Sequence, residues 1–190
     1  MSAVALCEMT RERSHAFYRA YENDPALFMD MDRLEPFVYR PEWVDARFDA
    51  HRQQGRKMFA VMLGEWVIGE LELKQIDREA RTCVLGIALQ NDAVKEKGYG
   101  TEAERQALCY AFDVLDMQTV YAGAVHRNVR SQHVLEKVGF RFVREDGAFR
   151  YYECTKSNFE ARILSDGTAA DGLRMEAEGN RPARGDGFTT

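Results

Sequence analysis

Apolar residues in the first half of the chain change from helical to strand spacing near residue 57. Before that point, two segments with apolar positions every three or four residues follow Thr10 and Pro41, residue types that favour helix starts. After it, short apolar runs separated by Gly64-Glu65 and by the charged stretch 77–81 indicate antiparallel strands. The predicted elements are a strand over 4–6, a helix between Thr10 and Asn23, a helix over 41–54, and strands over 58–63, 66–75 and 82–89.

The second half alternates helices and strands around three glycine turns. A polar loop over 91–97 precedes a helix that begins near Gly100 and carries its apolar residues on one side. A strand over 119–125 and a short helix over 131–138, ended by Gly139, come next. A hairpin over 140–145 and 149–155 turns at Asp146-Gly147. The sequence therefore predicts the α+β fold class, with a mixed, mostly antiparallel sheet flanked by helices.

Composition changes after Lys156. The segment that follows holds five of the 14 glycines, mixed charges and few large apolar residues. Such a composition buries too little apolar surface to fold by itself. We therefore predict one domain over 1–156 and a disordered tail over 157–190.

Charge and cysteine content narrow the function classes. The formal net charge is -5, so the chain as a whole repels a polyanion, and we expect no nucleic-acid partner. No apolar run approaches the ~18 residues of a membrane span, so we expect no membrane partner. The N-terminal residues lack the basic start of a signal peptide, which predicts a cytoplasmic protein. The four cysteines are scattered and lack metal-ligand spacing, so neither disulfides nor a metal site are expected.

The paired glycines Gly98 and Gly100 open a helix after a polar loop. Bare backbone N–H groups at a helix N-terminus bind phosphate oxygens, so the turn predicts an anion site. A P-loop requires Lys-Ser/Thr after its last glycine, whereas Thr101-Glu102 follows here. A dinucleotide fold requires an acidic residue at the end of the next strand, which instead ends in Gly123-Ala-Val-His126. A domain that binds a different nucleotide pyrophosphate remains a weaker alternative.

Two motifs in order resemble the GNAT superfamily of acetyl-CoA-dependent N-acetyltransferases. The segment Lys95-Glu-Lys-Gly98-Tyr-Gly100 is similar to the superfamily pattern Arg/Gln-x-x-Gly-x-Gly/Ala. Beyond the next strand, Asn128-Val-Arg-Ser131 and the later Gly139-Phe140 are similar to its Asn-x-x-Ser/Ala…Gly-Phe segment. The resemblance covers about residues 4–155. Within the superfamily, the second motif is most similar to ribosomal-protein N-terminal acetyltransferases, and the stretch 69–77 resembles spermidine acetyltransferases.

The resemblance implies a fold, a coenzyme and a reaction. It implies a GNAT-like sheet in which two neighbouring central strands splay apart, with acetyl-CoA as the acetyl donor. The acceptor would be a primary amine, either a small cationic molecule or a protein N-terminus, and its nitrogen would attack the thioester directly. Dimers are frequent in the superfamily, so a homodimer is possible. The alternative is a coenzyme-binding sensor or interaction module of the same fold with little turnover.

The same resemblance assigns site residues. Ser131 would donate a hydrogen bond to the coenzyme sulfur, and Asn128 would bind the pantetheine amides, unless it simply caps its helix. Backbone N–H groups near Leu89 and Gln90 are the expected donors to the thioester oxygen and the pantetheine. The remaining expected coenzyme contacts are Lys95, Lys97, Gly98, Tyr99, Gly100, Thr101 and Lys137.

The residue that accepts the proton from the amine is less defined. An alkylammonium has a pKa of ~10.4, so a base or a water chain must deprotonate it at neutral pH. Glu70 and Glu72 alternate on one side of a strand, from which both could reach the predicted cleft. Of the two, Glu72 ranks first. His126, Glu153 and a water chain are alternatives.

Two residues depart from the superfamily pattern. Lys95 replaces Arg or Gln and keeps a cation without planar bidentate geometry, and Leu135 replaces the tyrosine that protonates the thiolate in many members.

The stretch between the first two helices borders the acceptor site in the superfamily. Its acidic residues would either attract cationic amines or form a solvated loop: Glu22, Asp24, Asp30, Asp32 and Glu35. Its apolar residues would form either an acceptor wall or a core under the loop: Phe28, Met29, Met31 and Phe37.

Overall fold

The computed structural model describes residues 4–27, 32 and 34–165, which form one sheet with helices on both faces. The strands are β1 (Ala5–Glu8), β2 (Lys57–Leu63), β3 (Trp66–Asp77), β4 (Thr82–Leu89), β5 (Thr119–Val125), β6 (Arg141–Glu145) and β7 (Phe149–Thr155). The helices are α1 (Arg11–Arg19), α2 (Pro41–Gln53), α3 (Tyr99–Cys109, extended by a π-helical turn over Tyr110–Val114), α4 (Val129–Val138) and α5 (Lys156–Ser165). In these ranges, no helix has the length and hydropathy to cross a membrane.

The seven strands lie in the order β1-β2-β3-β4-β5-β7-β6. Every neighbouring pair is antiparallel except β4 and β5, which run parallel. The parallel pair requires a crossover, and α3 supplies it. The predicted α+β class and the mostly antiparallel sheet are confirmed.

The strands β4 and β5 separate before they end. Their parallel pairing runs from Thr82 with Thr119 to Leu85 with Ala122. In the described chain, the rest of β4 pairs with β3 and the rest of β5 pairs with β7. The expected splay of two central strands is therefore present, and we call the opening between 86–89 and 123–125 the gap.

Each face of the sheet has its own core, and β3 shows how the sequence divides them. Leu71 and Leu73 point toward α3, whose Ala103 and Ala107 are small enough to bring the helix close to the sheet. Glu70, the strand residue that precedes Leu71, points to the other face, where α1 and α2 pack. The two-residue alternation of the strand thus separates an apolar side from a polar side under two different helical layers.

The domain extends beyond the boundary expected from composition. Residues 156–165 form α5, in which Phe159 is 4% exposed and its ring centroid lies 5.5 Å from that of Phe112. The prediction of disorder is therefore wrong for residues 157–165, because Phe159 and the partly buried Ile163, one turn apart, form an apolar stripe that packs on the core. The rest of the predicted tail, 166–190, lies outside the described residues.

Candidate active site

The glycine turn before α3 leaves backbone donors exposed beside open space. Gly98 is the N-cap residue with φ of 82°, and no side chain caps the helix. The first helical bond runs from Glu102 N to Gly98 O at 3.0 Å, so the N–H groups of Tyr99, Gly100 and Thr101 have no acceptor within the helix. A Cβ added at Gly98 would meet nothing within 4 Å, and one at Gly100 would meet only Leu89 Cδ1 at 3.8 Å. This geometry fits an anion, because amides and the positive helix end converge on unfilled space.

The end of β4 directs one of its two predicted donors into the gap. Gln90 N donates to Ile68 O of β3 at 2.9 Å, so the prediction that its N–H group serves a ligand is wrong. Leu89 is opposite Gly69 in the register, and successive N–H groups of a strand point in opposite directions. The N–H group of Leu89 therefore points toward the side of β5, where the pairing has already ended.

Gln90 has a structural role that its sequence position does not indicate. Its Nε2 approaches the carbonyl oxygens of Ala16 and Phe17 at 3.4 Å each, and its own carbonyl accepts from Glu22 N at 2.8 Å. These bonds satisfy the C-terminal carbonyls of α1 and attach the segment after it to β4. Gln90 thus fixes the position of α1 relative to the gap.

Lys95 is ion-paired and does not extend freely over the glycine turn. Its Nζ lies 2.6 Å from Asp24 Oδ2 and 3.0 Å from Asp92 Oδ1. Lys95 therefore has carboxylate partners in this structure, and its role as a coenzyme contact stays a prediction. Lys97 is exposed beside the turn, Thr101 is half-buried in the first turn of α3, and the side chain of Tyr99 packs against the core.

The second motif begins α4 at the same edge of the sheet. Asn128 Oδ1 accepts a hydrogen bond from Ser131 N at 3.1 Å, so the capping role of Asn128 is present and Ser131 is half-buried in the first turn. Because α3 and α4 both follow parallel strands, both begin at the edge where the gap opens. Lys137 is exposed in the last turn of α4, at the opposite end from the glycine turn, so the structure does not bring this predicted phosphate contact into the site.

Glu72 is held between cations. Its carboxylate accepts hydrogen bonds from Arg56 Nη1 at 2.7 Å and from Lys74 Nζ at 3.0 Å. Burial alone would raise the pKa of Glu72, but these two hydrogen bonds outweigh burial and hold the pKa below its ordinary value. A carboxylate stabilised in its ionised form is a weak proton acceptor, so the structure contradicts the choice of Glu72 as base.

Glu70 lies closer to the gap than Glu72. It is opposite Ala88 in β4, whereas Glu72 is opposite Gly86. Arg47 binds both carboxylate oxygens of Glu70, at 2.6 and 3.0 Å, and Tyr18 Oη donates to Oε1 at 3.3 Å. Burial nevertheless raises the pKa of the Glu70 carboxyl above its ordinary value. Proximity to the gap and higher basicity make Glu70 the better candidate.

Aromatic rings cover the α1–α2 side of the site. Tyr18, Tyr21, Phe37 and Trp43 form one cluster with ring centroids 5.1 to 5.8 Å apart. Phe37, predicted as part of an acceptor wall, belongs to this cluster. The other residues of that predicted wall and one residue of the acidic rim lie outside the described residues: Phe28, Met29, Met31 and Asp30.

The structure also places the remaining residues that the sequence singled out, which are Leu135, His126 and the acidic rim. Leu135, at the position of the usual tyrosine, is fully buried in the core. His126 is exposed, and its Nε2 lies 2.7 Å from Asp146 O at the β6–β7 turn. Leu135 has no proton to donate to the thiolate, and the Nε2 of His126 contacts a turn carbonyl. Glu22, Asp32 and Glu35 of the predicted acidic rim are exposed, and Asp24 is half-buried in an ion pair with Lys95.

Comparison with known sequences identifies the class of protein. Residues 4–141 match the acetyltransferase (GNAT) domain, so the chain belongs to that family. The family predicted from the two motifs is confirmed. A GNAT acetyltransferase domain is an acyltransferase domain that takes its acetyl group from acetyl-CoA, and the expected enzyme class and cofactor are those of the family.

Individual relatives are more distant. The Bacillus subtilis (strain 168) protein named Probable N-acetyltransferase YjcK is 43% identical over 75 residues, which are 39% of this chain and 41% of that protein. A T. thermophilus protein classed as an acetyltransferase has a TM-score of 0.70 at 22% identity, over 88% of this chain and 94% of that one. Spermidine N-acetyltransferase from Vibrio cholerae, in complex with CoA and spermine, has a TM-score of 0.69 at 17% identity, over 84% and 99% of the two chains. At these identities, the two solved structures show the shared fold.

Proposed function

We propose that the chain transfers the acetyl group of acetyl-CoA to the primary amine of a small cationic molecule. The observation that carries this proposal is the uncapped start of α3 at Gly98, placed beside the Leu89 end of the gap. The start of α3 offers helix amides to a diphosphate, and the end of β4 offers a strand N–H group to a thioester carbonyl.

Candidate partners for the diphosphate, the pantetheine and the thioester lie among the described residues. Acetyl-CoA supplies an activated acetyl group on a thioester. The amides of residues 99–101, with the exposed Lys97, hold the diphosphate. The N–H group of Leu89 polarises the acetyl carbonyl, Asn128 binds the pantetheine while capping α4, and Ser131 donates to the sulfur.

The acceptor enters from the face covered by α1 and α2. The ring cluster and the buried Glu70 lie there, next to Ala88 at the end of β4. We place the role of proton acceptor on Glu70, since a bound alkylammonium must lose a proton before its nitrogen can attack. The exposed acidic residues near α1 favour a cationic acceptor. The Vibrio cholerae neighbour, a spermidine N-acetyltransferase, supports the same class, and a protein N-terminal amine is the other acceptor proposed from the Ser131 motif.

We further propose that the chain forms homo-oligomers, with a dimer as the smallest unit. A dodecameric structure of the Vibrio cholerae enzyme, 18% identical with a TM-score of 0.66, supports self-association. Sedimentation velocity at several concentrations tests this point, and a monomer at every concentration would contradict it. A cytoplasmic location remains a prediction.

Two measurements test the function. Calorimetric titration of the protein with acetyl-CoA, NAD and ATP tests the coenzyme, and a preference for either nucleotide would exclude acetyl-CoA. Release of free thiol is then measured with polyamines, aminoglycosides, amino acids and short peptides. We expect release with a cationic small amine, and release with peptides alone would move the acceptor to protein N-termini.

A coenzyme-binding module with little turnover is the second candidate. It is favoured by Leu135, a buried side chain without a proton to donate at the position of the usual tyrosine, and by the ion pair between Glu70 and Arg47. Tight binding of acetyl-CoA without thiol release for any acceptor class would support this candidate against the enzyme.

A further inference from the structure

One carboxylate binds the cations of both coenzyme motifs. Asp24 Oδ2 lies 2.6 Å from Lys95 Nζ and 3.1 Å from Arg130 Nη2. Lys95 opens the glycine motif, and Arg130 lies between Asn128 and Ser131 in the second motif. The Asp24 side chain is 11% exposed, and its Oδ1 accepts from Ala26 N at 2.9 Å, so the carboxylate is fixed on both oxygens.

These ion pairs cross the entrance of the gap. Lys95 lies in the loop after β4 and Arg130 lies in the first turn of α4 after β5, so Asp24 connects the two segments that leave the separated strands. Arg130 also lies 3.6 Å from Asp92 and 3.5 Å from Glu96, on the loop that leads into α3. The cluster therefore lies beside the uncapped helix start.

The charges of this cluster oppose the binding of a further anion in its present arrangement. Two cations face three carboxylates, those of Asp24, Asp92 and Glu96. Burial alone would raise the pKa of Asp24, but the hydrogen bonds from Lys95 and Ala26 outweigh burial and lower it, so this carboxylate is ionised at neutral pH. A diphosphate brought to the neighbouring amides would compete with Asp24 for the same two cations.

We propose that Lys95 and Arg130 are phosphate-binding residues that Asp24 holds in the free protein and releases to the diphosphate of the coenzyme. This inference rests on the proposed function and adds Arg130 and Asp24 to the coenzyme site. Because Asp24 belongs to the segment between α1 and α2, the exchange of partners also couples coenzyme binding to the acceptor side of the gap.

The first test replaces the competing carboxylate. In Asp24→Asn, we expect the Kd for CoA, measured by calorimetry, to fall about tenfold, since a charge-assisted competitor is lost. The Kd for pantetheine, which lacks the diphosphate, should stay within about twofold. Glu22→Gln is the matched control, because it removes an exposed charge from the same segment, and its CoA affinity should equal that of the wild type. Weaker or unchanged CoA binding in a folded Asp24→Asn variant would overturn the proposal and make Asp24 a structural brace.

The second test removes a released cation. Arg130→Gln should weaken CoA binding about tenfold and lower its dependence on salt, while pantetheine binding is unchanged. In the double variant Asp24→Asn/Arg130→Gln, the gain from Asp24→Asn should shrink, because one of the two freed cations is absent. A wild type that binds no CoA would refute the proposed function itself. A wild type that binds CoA, with all these variants equal to it, would refute this inference alone.

Discussion

The side chain of Leu89 packs so closely on Gly69 that a Cβ at position 69 would lie 2.7 Å from Leu89 Cδ2. The same Cβ would lie 3.0 Å from Ala88 O and 3.2 Å from Val61 Cβ. The absence of a side chain at position 69 therefore lets β2, β3 and the last residues of β4 come together. This contact holds the backbone of Leu89 in place while its N–H group points toward the gap.

Gly69→Ala tests that contact. We expect a loss of about 1–3 kcal/mol in the free energy of unfolding and weaker CoA binding, because the new methyl group must displace Leu89 or the Ala88 carbonyl. Urea unfolding and CoA titration measure the two effects. Gly123→Ala in β5 is the matched control for stability, since its Cβ would have no neighbour closer than 3.8 Å. Equal effects of the two substitutions would show that the approach of Leu89 to Gly69 is not specific.

The two glycines of the turn should respond differently to alanine. Gly98 has a positive φ of 82°, so Gly98→Ala should cost about 1–2 kcal/mol of stability and weaken CoA binding. Gly100 lies in the first turn of α3, where alanine raises helix propensity by about 0.5–1 kcal/mol and its Cβ has room. Gly100→Ala should therefore be more stable than the wild type and bind CoA within about twofold of it. A loss of affinity in Gly100→Ala alone would show that the diphosphate occupies the space that the Gly100 Cβ would fill.

Local sequence pattern predicted the elements better than it predicted the charged contacts. Strand alternation and the caps at Thr10 and Gly139 are properties of short segments, and the helices and strands lie close to their predicted positions. The pairing of Lys95 with Asp24 joins residues 71 positions apart. Such a pairing depends on the packed fold, so the motif indicated a phosphate contact at Lys95 but not its carboxylate partners.

Pairing with β3 continues one residue past Leu89, and the carbonyl that binds Gln90 N belongs to the bulged residue of that strand. The register between β2 and β3 shifts where Val61 pairs with Gly69 and Met62 with Val67, which leaves Ile68 as the extra residue. The carbonyl of Ile68 then accepts from Gln90 N, so this N–H group is not available to a ligand. Apolar spacing in β3 gave no signal of the bulge, although a glycine inside a strand often marks one.

The two carboxylates of β3 should differ in turnover. Glu70→Gln should lower the rate of thiol release about 100-fold or more at saturating acetyl-CoA, since the amine loses its proton acceptor. Glu72→Gln should keep the rate within about threefold, because its carboxylate serves Arg56 and Lys74 rather than the reaction. CoA titration checks that both variants bind the coenzyme. Full turnover in Glu70→Gln would assign the proton transfer to solvent.

Glu104 predicts a pH dependence of stability. This residue of α3 is 1% exposed, and its Oε2 has no hydrogen-bond partner among the described residues. Burial raises the pKa of its carboxyl from 4.5 to about 8, so the folded state keeps a proton that the unfolded state releases. Between these two pH values the folded state binds more protons, and stability must fall as pH rises.

The loss of stability with rising pH can be measured by urea unfolding. At ~1.4 kcal/mol for each pH unit, the loss from pH 4.5 to 8 is on the order of 5 kcal/mol, after which stability is independent of this group. Urea unfolding at pH 5, 6, 7 and 8 should show the decline in the wild type and a much flatter profile in Glu104→Leu, which fills similar volume without a titratable group. Glu102→Gln, at a half-buried position earlier in the same helix, is the matched control and should keep the wild-type slope. A wild-type slope in Glu104→Leu would mean that Glu104 is already ionised in the folded protein, with its charge stabilised by a partner that forms in solution.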